Sequence, residues 1–398
     1  MTTWKYLPVL NACLQIISTV CLGAISRILA PSVFDSAFVQ HSVQFVFYIA
    51  IPCLVVKGIG VGVDFYSEAI TWKYIAAFLL LRAFVLLFAA AFHLLRRNRN
   101  ETKCGTIAVY WLSLTWISTV ILGIPILTAV TNSPKKGRSY GILAGISSFV
   151  FQLPFQIFLF ECHKFERDHL NIEEMDSGCD VPQDLIGGKK EGDNDGRKVK
   201  VDSSRSLNWT KFTTSKELWK FILSHMGHNP IILGIVFGFV ISLSTFGKRF
   251  LNPFTDDKTL NDSYVEWLKF LVDTLGWFGD CASPLSLFSM GIWMQDQGGS
   301  IITVGFKELT LFMLLKLVLV PLLMVGLANA LQLNDESGRA AVLIAALPIS
   351  IASFSLGNTY QVGEAQLSAN VVVGTALMLP TIIIWNYAMD EIGLFTIF

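Results

Sequence analysis

Ten mainly apolar stretches run through the chain, at 7–30, 40–60, 72–95, 105–130, 138–161, 217–245, 265–294, 307–332, 338–361 and 366–389. A helix needs about 20 such residues to cross the hydrocarbon of a bilayer, so each is predicted to be a transmembrane span. One long polar region separates the fifth from the sixth. Residues 162–216 mix both signs of charge with glycine (Gly-Gly-Lys-Lys-Glu-Gly-Asp-Asn-Asp-Gly, then Arg-Lys-Val-Lys) and offer little apolar surface to bury. The pattern therefore predicts a five-helix unit over 1–161, a disordered cytosolic linker over 162–216 and a second five-helix unit over 217–398. Two spans are themselves interrupted. The fourth contains Thr115-Trp-Ile-Ser-Thr-Val-Ile-Leu-Gly-Ile-Pro125, and the ninth contains Ala345-Ala-Leu-Pro-Ile-Ser-Ile-Ala-Ser353. Proline removes a backbone donor and crowds the preceding turn. Within a membrane, the carbonyls so freed must meet protein or a water-lined cavity.

The halves echo each other. Pro52 matches Pro284 at an offset of 232 residues, Arg82 matches Lys316 at 234, and Pro154 matches Pro380 at 226. Pairing Pro125 with Pro348 gives only 223, whereas pairing Ile117 with Pro348 gives 231. The break of span 4 is accordingly placed near Ile117–Thr119, with Gly123 and Pro125 shaping the half-helix that follows. An odd number of crossings per unit inverts the second unit relative to the first, and paired interrupted helices in matching positions mark a carrier's binding site. The expected fold is an all-α polytopic membrane protein of ten transmembrane helices, two inverted five-helix repeats with helices 4 and 9 broken. Lys and Arg in the short loops, with Arg96, Arg97, Arg99 and Lys103 after span 3 and Lys164 and Arg167 after span 5, put the linker in the cytosol and both termini outside or in a lumen.

Composition narrows the class. Only 15% of residues are charged, against about 25% in soluble domains, and mean hydropathy is +0.55. The net charge of zero gives no general attraction to nucleic acid. Seven scattered cysteines form no CxxC pair, which points to neither a metal centre nor a disulfide framework. The first span lacks a basic leader and is read as a retained helix. Gly58-x-Gly60-x-Gly62 lacks the lysine of a phosphate-binding loop, and no HExxH or GxSxG is present. Neither a cofactor nor an enzymatic activity is indicated.

Several short motifs occur in an order that resembles the auxin efflux carrier family of PIN-FORMED and PIN-LIKES proteins. They are Phe47-Tyr-Ile-Ala-Ile-Pro-Cys-Leu54, Gly123-Ile-Pro-Ile-Leu127 and Asn229-Pro230 with Gly234 and Gly238. Further along come Pro284-Leu-Ser-Leu-Phe-Ser-Met-Gly291, Lys316-Leu-Val-Leu-Val-Pro321 and Ala346-Leu-Pro348 through Tyr360-Gln-Val362. The resemblance covers both membrane halves and not the linker. It implies a carrier that exports organic anions, with the substrate held where spans 4 and 9 cross. The chain departs from the plant pattern at Ile117-Ser118-Thr119, where Ser118 replaces the asparagine that would contact a carboxylate.

The candidate site residues follow from this plan. A broken helix presents backbone N–H groups and the positive end of its dipole at the new N-terminus, which suits an anion. Ser118, Thr119, Ser350 and Ser353, with Pro348 holding the break open, are candidates to orient a carboxylate. Gln152 and Gln156 lie one turn apart and offer amide donors, with helix–helix bonding the alternative. Arg82 and Lys316 are costly at membrane depth and mark a functional path. Asp280 is the acid placed to pair with Lys316 or to carry a coupling proton, with snorkelling or a structural pair as alternatives. The anticipated partners are the bilayer and a small amphipathic carboxylate, and a homodimer is left open. Plasma membrane and endoplasmic reticulum are both compatible locations. Two competing readings are a sodium-coupled symporter and a membrane sensor that binds without transporting.

Overall fold

The computed structural model describes residues 6–62, 69–96, 102–131, 133–177, 220, 223–224, 227–244, 266–297 and 304–395. Among these residues all regular elements are helical. In chain order they are α1 (Leu7–Leu29), α2 (36–62), α3 (Ala69–Arg96), α4 (Lys103–Thr115), α5 (Thr119–Val130), α6 (134–177) and α7 (Pro230–Leu243). Then follow α8 (Glu266–Asp280), α9 (Ala282–Asp296), α10 (Phe306–Ala330), α11 (Asp335–Ala345), α12 (Ile351–Tyr360) and α13 (Glu364–Glu391).

Six helices, namely α1, α2, α3, α6, α10 and α13, are long and apolar enough to cross a membrane. The other four predicted spans are divided or partly outside the described residues. Span 4 is split into α4 and α5, and span 9 into α11 and α12, at the two interruptions. Span 7 bends at Cys281 into α8 and α9, each of 15 residues. Of span 6 the described part is mainly α7, 14 residues started by Pro230 and capped by the Asn229 side chain. One boundary moves. α6 continues through Ser177, into the region assigned to the linker over 162–216. No glycine or proline stands between Pro154 and Gly178, so nothing in that charged stretch stops the helix where its apolar face ends. The remainder of the region, 178–216, lies outside the described residues.

Four helices contain a π-helical turn, and each such turn ends two residues before a proline. Val46–Ala50 precedes Pro52, Thr119–Gly123 precedes Pro125, Ser147–Gln152 precedes Pro154 and Leu315–Leu319 precedes Pro321. The ring has no N–H to offer and would crowd the carbonyl four residues back, so the preceding turn widens to i→i+5 bonding. These widened turns fall on the helices that surround the two interruptions.

Small residues set the close approaches, as packing within a membrane requires. α1 crosses α9 with Gly23 against the Phe288 carbonyl and Gly291 against the Val20 carbonyl. α7 lies on α2 with Gly234 beside Pro52 and Gly238 beside Ile59. Gly137, Gly141 and Gly145 form a stripe at four-residue spacing on α6, and α5 lies along it. Two sets of helices result: α1, α2, α7, α8 and α9 pack among themselves, as do α3 to α6 with α10 to α13. The sets meet where α5 and its π-turn touch α1 and α9, where α6 touches α2 and α7, and where α13 touches α1.

Candidate functional site at the crossing of two interrupted helices

α4 ends at Thr115, and the chain leaves helical geometry at Trp116 (φ −79°, ψ 74°) and Ser118 (φ −76°, ψ 61°) before α5 begins. α11 ends at Ala345, and the chain is again extended at Ser350 (φ −80°, ψ 149°) before α12. These two non-helical segments meet. Ile117 and Ile349 form an isolated antiparallel bridge. Ser118 N–H donates to the Pro348 carbonyl at 3.2 Å, and Ser350 N–H donates to the Trp116 carbonyl at 2.9 Å. Each break thus satisfies backbone groups of the other, which answers the problem that Pro348 creates in a dry environment. Pro348 is further enclosed by Gly374 of α13, where a Cβ would stand 3.0 Å from the proline Cβ.

Two helix N-termini, those of α5 and α12, start from this crossing. Ser350 caps α12 by accepting the Ala352 N–H at 3.4 Å. A cavity of about 20 Å³ lies beside the crossing, lined by Ser118, Thr119, Ser148 and Ser350 among its polar groups. Phe47 and Ile51 of α2, Trp116 and Phe149 supply apolar walls, with the Trp116 and Phe149 rings edge to face at 6.2 Å. The volume suits about one water molecule.

The other candidates are placed differently. Ser353 is fully buried, and its hydroxyl donates to the Ser350 carbonyl at 2.6 Å, so it braces the first turn of α12. Gln152 is 1% exposed and doubly engaged: its Oε1 accepts from Arg82 Nε at 2.8 Å and its Nε2 donates to Thr115 Oγ1 at 2.7 Å. Gln156 Nε2 donates to the Ala108 carbonyl at 3.1 Å, while its buried Oε1 has no protein partner. Both amides bind α6 to α4, the helix-bonding alternative. Gly123 lies under Leu347 of the opposite break, 3.4 Å from where its Cβ would be, and Pro125 starts the α-helical part of α5.

The charged candidates separate. Arg82 is 3% exposed and held by neutral groups alone: Gln152, the Ser147 hydroxyl, the Ser148 hydroxyl at 2.6 Å and the Phe78 carbonyl at 3.5 Å. Lys316 is 1% exposed, and its ammonium donates to the Ala345 carbonyl at 3.1 Å. The expected partnership of Asp280 with Lys316 is not formed. Asp280 sits at the α8–α9 bend with its carboxylate in solvent-accessible contact with Arg138 at 2.8 Å, while Lys316 faces the end of α11. Asp280 is the last residue of α8, before the turn at Cys281 that sequence reading did not foresee. The two buried cations instead have parallel positions. Arg82 reaches the last residue of α4 through Gln152 and Thr115, and Lys316 reaches the last residue of α11. Each stands at the C-terminal, negative end of an interrupted half-helix, where a cation is favoured.

Sequence reasoning missed the walls of the crossing: Trp116, Ser148, Phe149, Phe47 and Ile51. The Ser147-Ser148 pair within a span and the proline two residues after each π-turn are signals that point to them. The glycine stripe on α6 was also legible and unused. A Cβ at Gly141 would come 2.7 Å from Ile124, and one at Gly145 would come 3.3 Å from Thr119 Oγ1.

Helices of crossing length, buried cations and two breaks that hydrogen-bond across the middle of the fold define an integral, multi-pass membrane protein organised around paired interrupted helices. Residues 8–386 match the profile of the family described as Membrane transport protein. The chain is 24% identical over 274 residues to auxin efflux carrier component 8 of Arabidopsis thaliana, covering 69% of this chain and 68% of that one. It is 22% identical over 323 residues to component 5 of the same plant, covering 81% and 80%. A shorter match to component 6 reaches 31% over 106 residues, 27% of this chain and 18% of the relative. The chain belongs to this membrane transport family, of which the auxin efflux carriers are members, and is a transporter and not an enzyme.

Proposed function

We propose that this protein is a secondary carrier that exports small organic anions through ten membrane spans arranged as two inverted repeats, with the carboxylate bound at the α4–α5/α11–α12 crossing. The antiparallel meeting of the two breaks is the observation that carries this reading. It directs the N-termini of α5 and α12 and the hydroxyls of Ser118, Thr119 and Ser350 to one place, the combination that favours an anion without a fixed counter-charge. Spans 4, 6, 7 and 9, divided or partly outside the described residues, are read together with the six full-length helices as five crossings on each side of the linker. The offsets that relate Arg82 to Lys316 and Pro154 to Pro380 support a repeat.

A cavity of about 20 Å³ is far smaller than the several hundred Å³ that enclose a small organic ligand. The described conformation is therefore closed on the site, and transport requires the two helix sets to move apart and expose it to each side in turn. Auxin enters as a candidate because the relatives are named for it. Serine at position 118 gives a shorter, single-hydroxyl contact than an amide, so other amphipathic carboxylates are candidates equally. The test is uptake of a labelled carboxylate panel, indole and aliphatic, by purified protein in liposomes, with and without sodium and pH gradients. Uptake of at least one carboxylate supports the reading. Uptake that depends wholly on sodium replaces it with the symport reading, and binding without uptake makes the protein a sensor.

A further inference from the structure

We propose that the groove between α10 and α13 binds one anionic glycerophospholipid, which lays an acyl chain along the groove and sets its phosphate at Lys307. This inference does not depend on the substrate proposed above. The groove encloses about 430 Å³, a volume that takes a small ligand, where the cavity at the crossing has about 20 Å³. Phe306, Thr310 and Leu314 line it from α10, and Leu377, Ile384 and Trp385 from α13. The polar groups of its deeper part are spent within the protein. Trp385 Nε1 donates to the Leu317 carbonyl at 2.9 Å, and Thr381 Oγ1 donates to the Leu377 carbonyl at 2.8 Å. A carboxylate buried there would lose its hydration for no new bond, whereas a hydrocarbon chain loses nothing.

Length and charge select the occupant. Both helices are of membrane-crossing length, and Phe306, Leu314, Val318 and Ile384 are more than half exposed, so the groove opens to the bilayer. α10 and α13 run parallel, with Leu309 and Met313 packed with Ala369 near their starts and Leu317 bonded to Trp385 further on. They start at the linker end of the molecule, where Arg167 of α6 donates to Gln361 Oε1 at 3.2 Å just before α13. From Phe306 to Val318 the groove follows α10 for about 18 Å, close to the roughly 15 Å depth of one leaflet's hydrocarbon. Lys307 is exposed at its mouth, in one stripe with Thr310 and Leu314 three and seven residues on. Glu308 falls on the other side of the helix and lines none of the groove. Gly305 brings no capping side chain, so the first-turn amides of α10 add to the attraction of the lysine for a phosphate. Basic residues assign this end to the cytosol, whose leaflet carries the anionic lipids. The acyl chain lies against Leu317 and Val318 of the π-turn that directs Lys316 to the end of α11, so bound lipid buttresses one side of the crossing.

The experiment is native mass spectrometry of the full chain, delipidated in detergent and titrated with palmitoyl-oleoyl phosphatidylglycerol or the matching phosphatidylcholine. The first phosphatidylglycerol is expected to bind roughly fivefold tighter than phosphatidylcholine, the contribution of one lysine near an anionic headgroup. Lys307→Gln should abolish that preference while phosphatidylcholine binding persists, and Leu377→Trp, which fills the groove, should weaken both lipids. Photolabelling with a phosphatidylglycerol that carries a diazirine in its acyl chain gives a second readout on the unsubstituted protein. The label is expected on residues 306–318 of α10 and 373–385 of α13. Equal affinity of the parent for the two lipids, a preference unchanged in Lys307→Gln, label confined to other helices, or cross-linking of a second copy of the chain through the groove would each overturn the proposal. Thermal unfolding without lipid identifies a misfolded variant, and the label map on the parent then decides.

Discussion

At the scale of single residues, the crossing separates groups that border its cavity from groups already committed to hydrogen bonds of the fold. Ser118 and Thr119 border the cavity, whereas Gln152 is consumed between Arg82 and Thr115. Two opposite outcomes follow. Ser118→Ala combined with Thr119→Ala should weaken carboxylate binding by roughly 1–3 kcal/mol through lost hydrogen bonds, with thermal unfolding unchanged. Direct binding measurements on the purified variant check the first half, and differential scanning fluorimetry the second. Gln152→Leu should act the other way round. It leaves the Arg82 Nε–H without its buried acceptor, at a cost of about 1–3 kcal/mol, while the Thr115 hydroxyl keeps its bond to the Trp111 carbonyl at 2.6 Å, so the unfolding temperature should fall while affinity per folded molecule persists. A Gln152→Leu variant with normal stability and no binding would return that amide to the substrate. Ser118→Asn lengthens the side chain and adds amide donors at the cavity edge. Improved affinity for an indole carboxylate relative to an aliphatic one is the outcome this geometry gives.

At the scale of elements, the interruptions are held by reciprocal bonding, and that bonding constrains what each break tolerates. Pro348→Ala restores a backbone N–H and lets α11 run on into α12, which pulls the Pro348 carbonyl away from Ser118. Transport should be abolished, with the unfolding temperature equal or higher; lost folding would show that the proline is needed for assembly instead. Gly141→Leu places a side chain where Ile124 already sits, so α5 must leave the α6 stripe. Overpacking of this kind typically costs about 1–3 kcal/mol, and it should displace Thr119 from the crossing and reduce binding together with stability. Much of this organisation was legible in the chain. The hydroxyls beside Pro348, the offset of 231 residues to Ile117 and the cations in spans 3 and 8 locate both breaks and their charged neighbours. What could not be read was pairing in space. Periodicity does not reveal that Asp280 turns to Arg138 at a bend, or that a helix of charged residues continues to Ser177 after its apolar face has ended. The walls supplied by Phe47, Ile51 and Phe149 come from other helices, and the prolines that follow the π-turns mark those helices without showing which side chains reach the crossing.

At the scale of the molecule, the two helix sets meet along α5, α6 and α13. Topology can be tested through three Asn-x-Ser/Thr sequons at Asn100, Asn208 and Asn261, all outside the described residues. With the linker in the cytosol, only Asn261 should accept a glycan when the chain passes through the secretory pathway, and a glycan on Asn100 would invert the orientation. The segment after Ser177 joins two units that pack through their helices, so deletion of residues 178–205 should leave uptake by purified protein largely intact. Abolished uptake with normal folding would make that segment a gate. The measurement that bears most directly on the crossing is counterflow in proteoliposomes, using the carboxylate that the parent protein takes up best. The parent should exchange labelled for unlabelled substrate, Ser118→Ala with Thr119→Ala should need a higher concentration to do so, and Pro348→Ala should exchange none while remaining folded. Exchange by both variants at the parent's rate and concentration dependence would contradict the account and place the site elsewhere in the membrane.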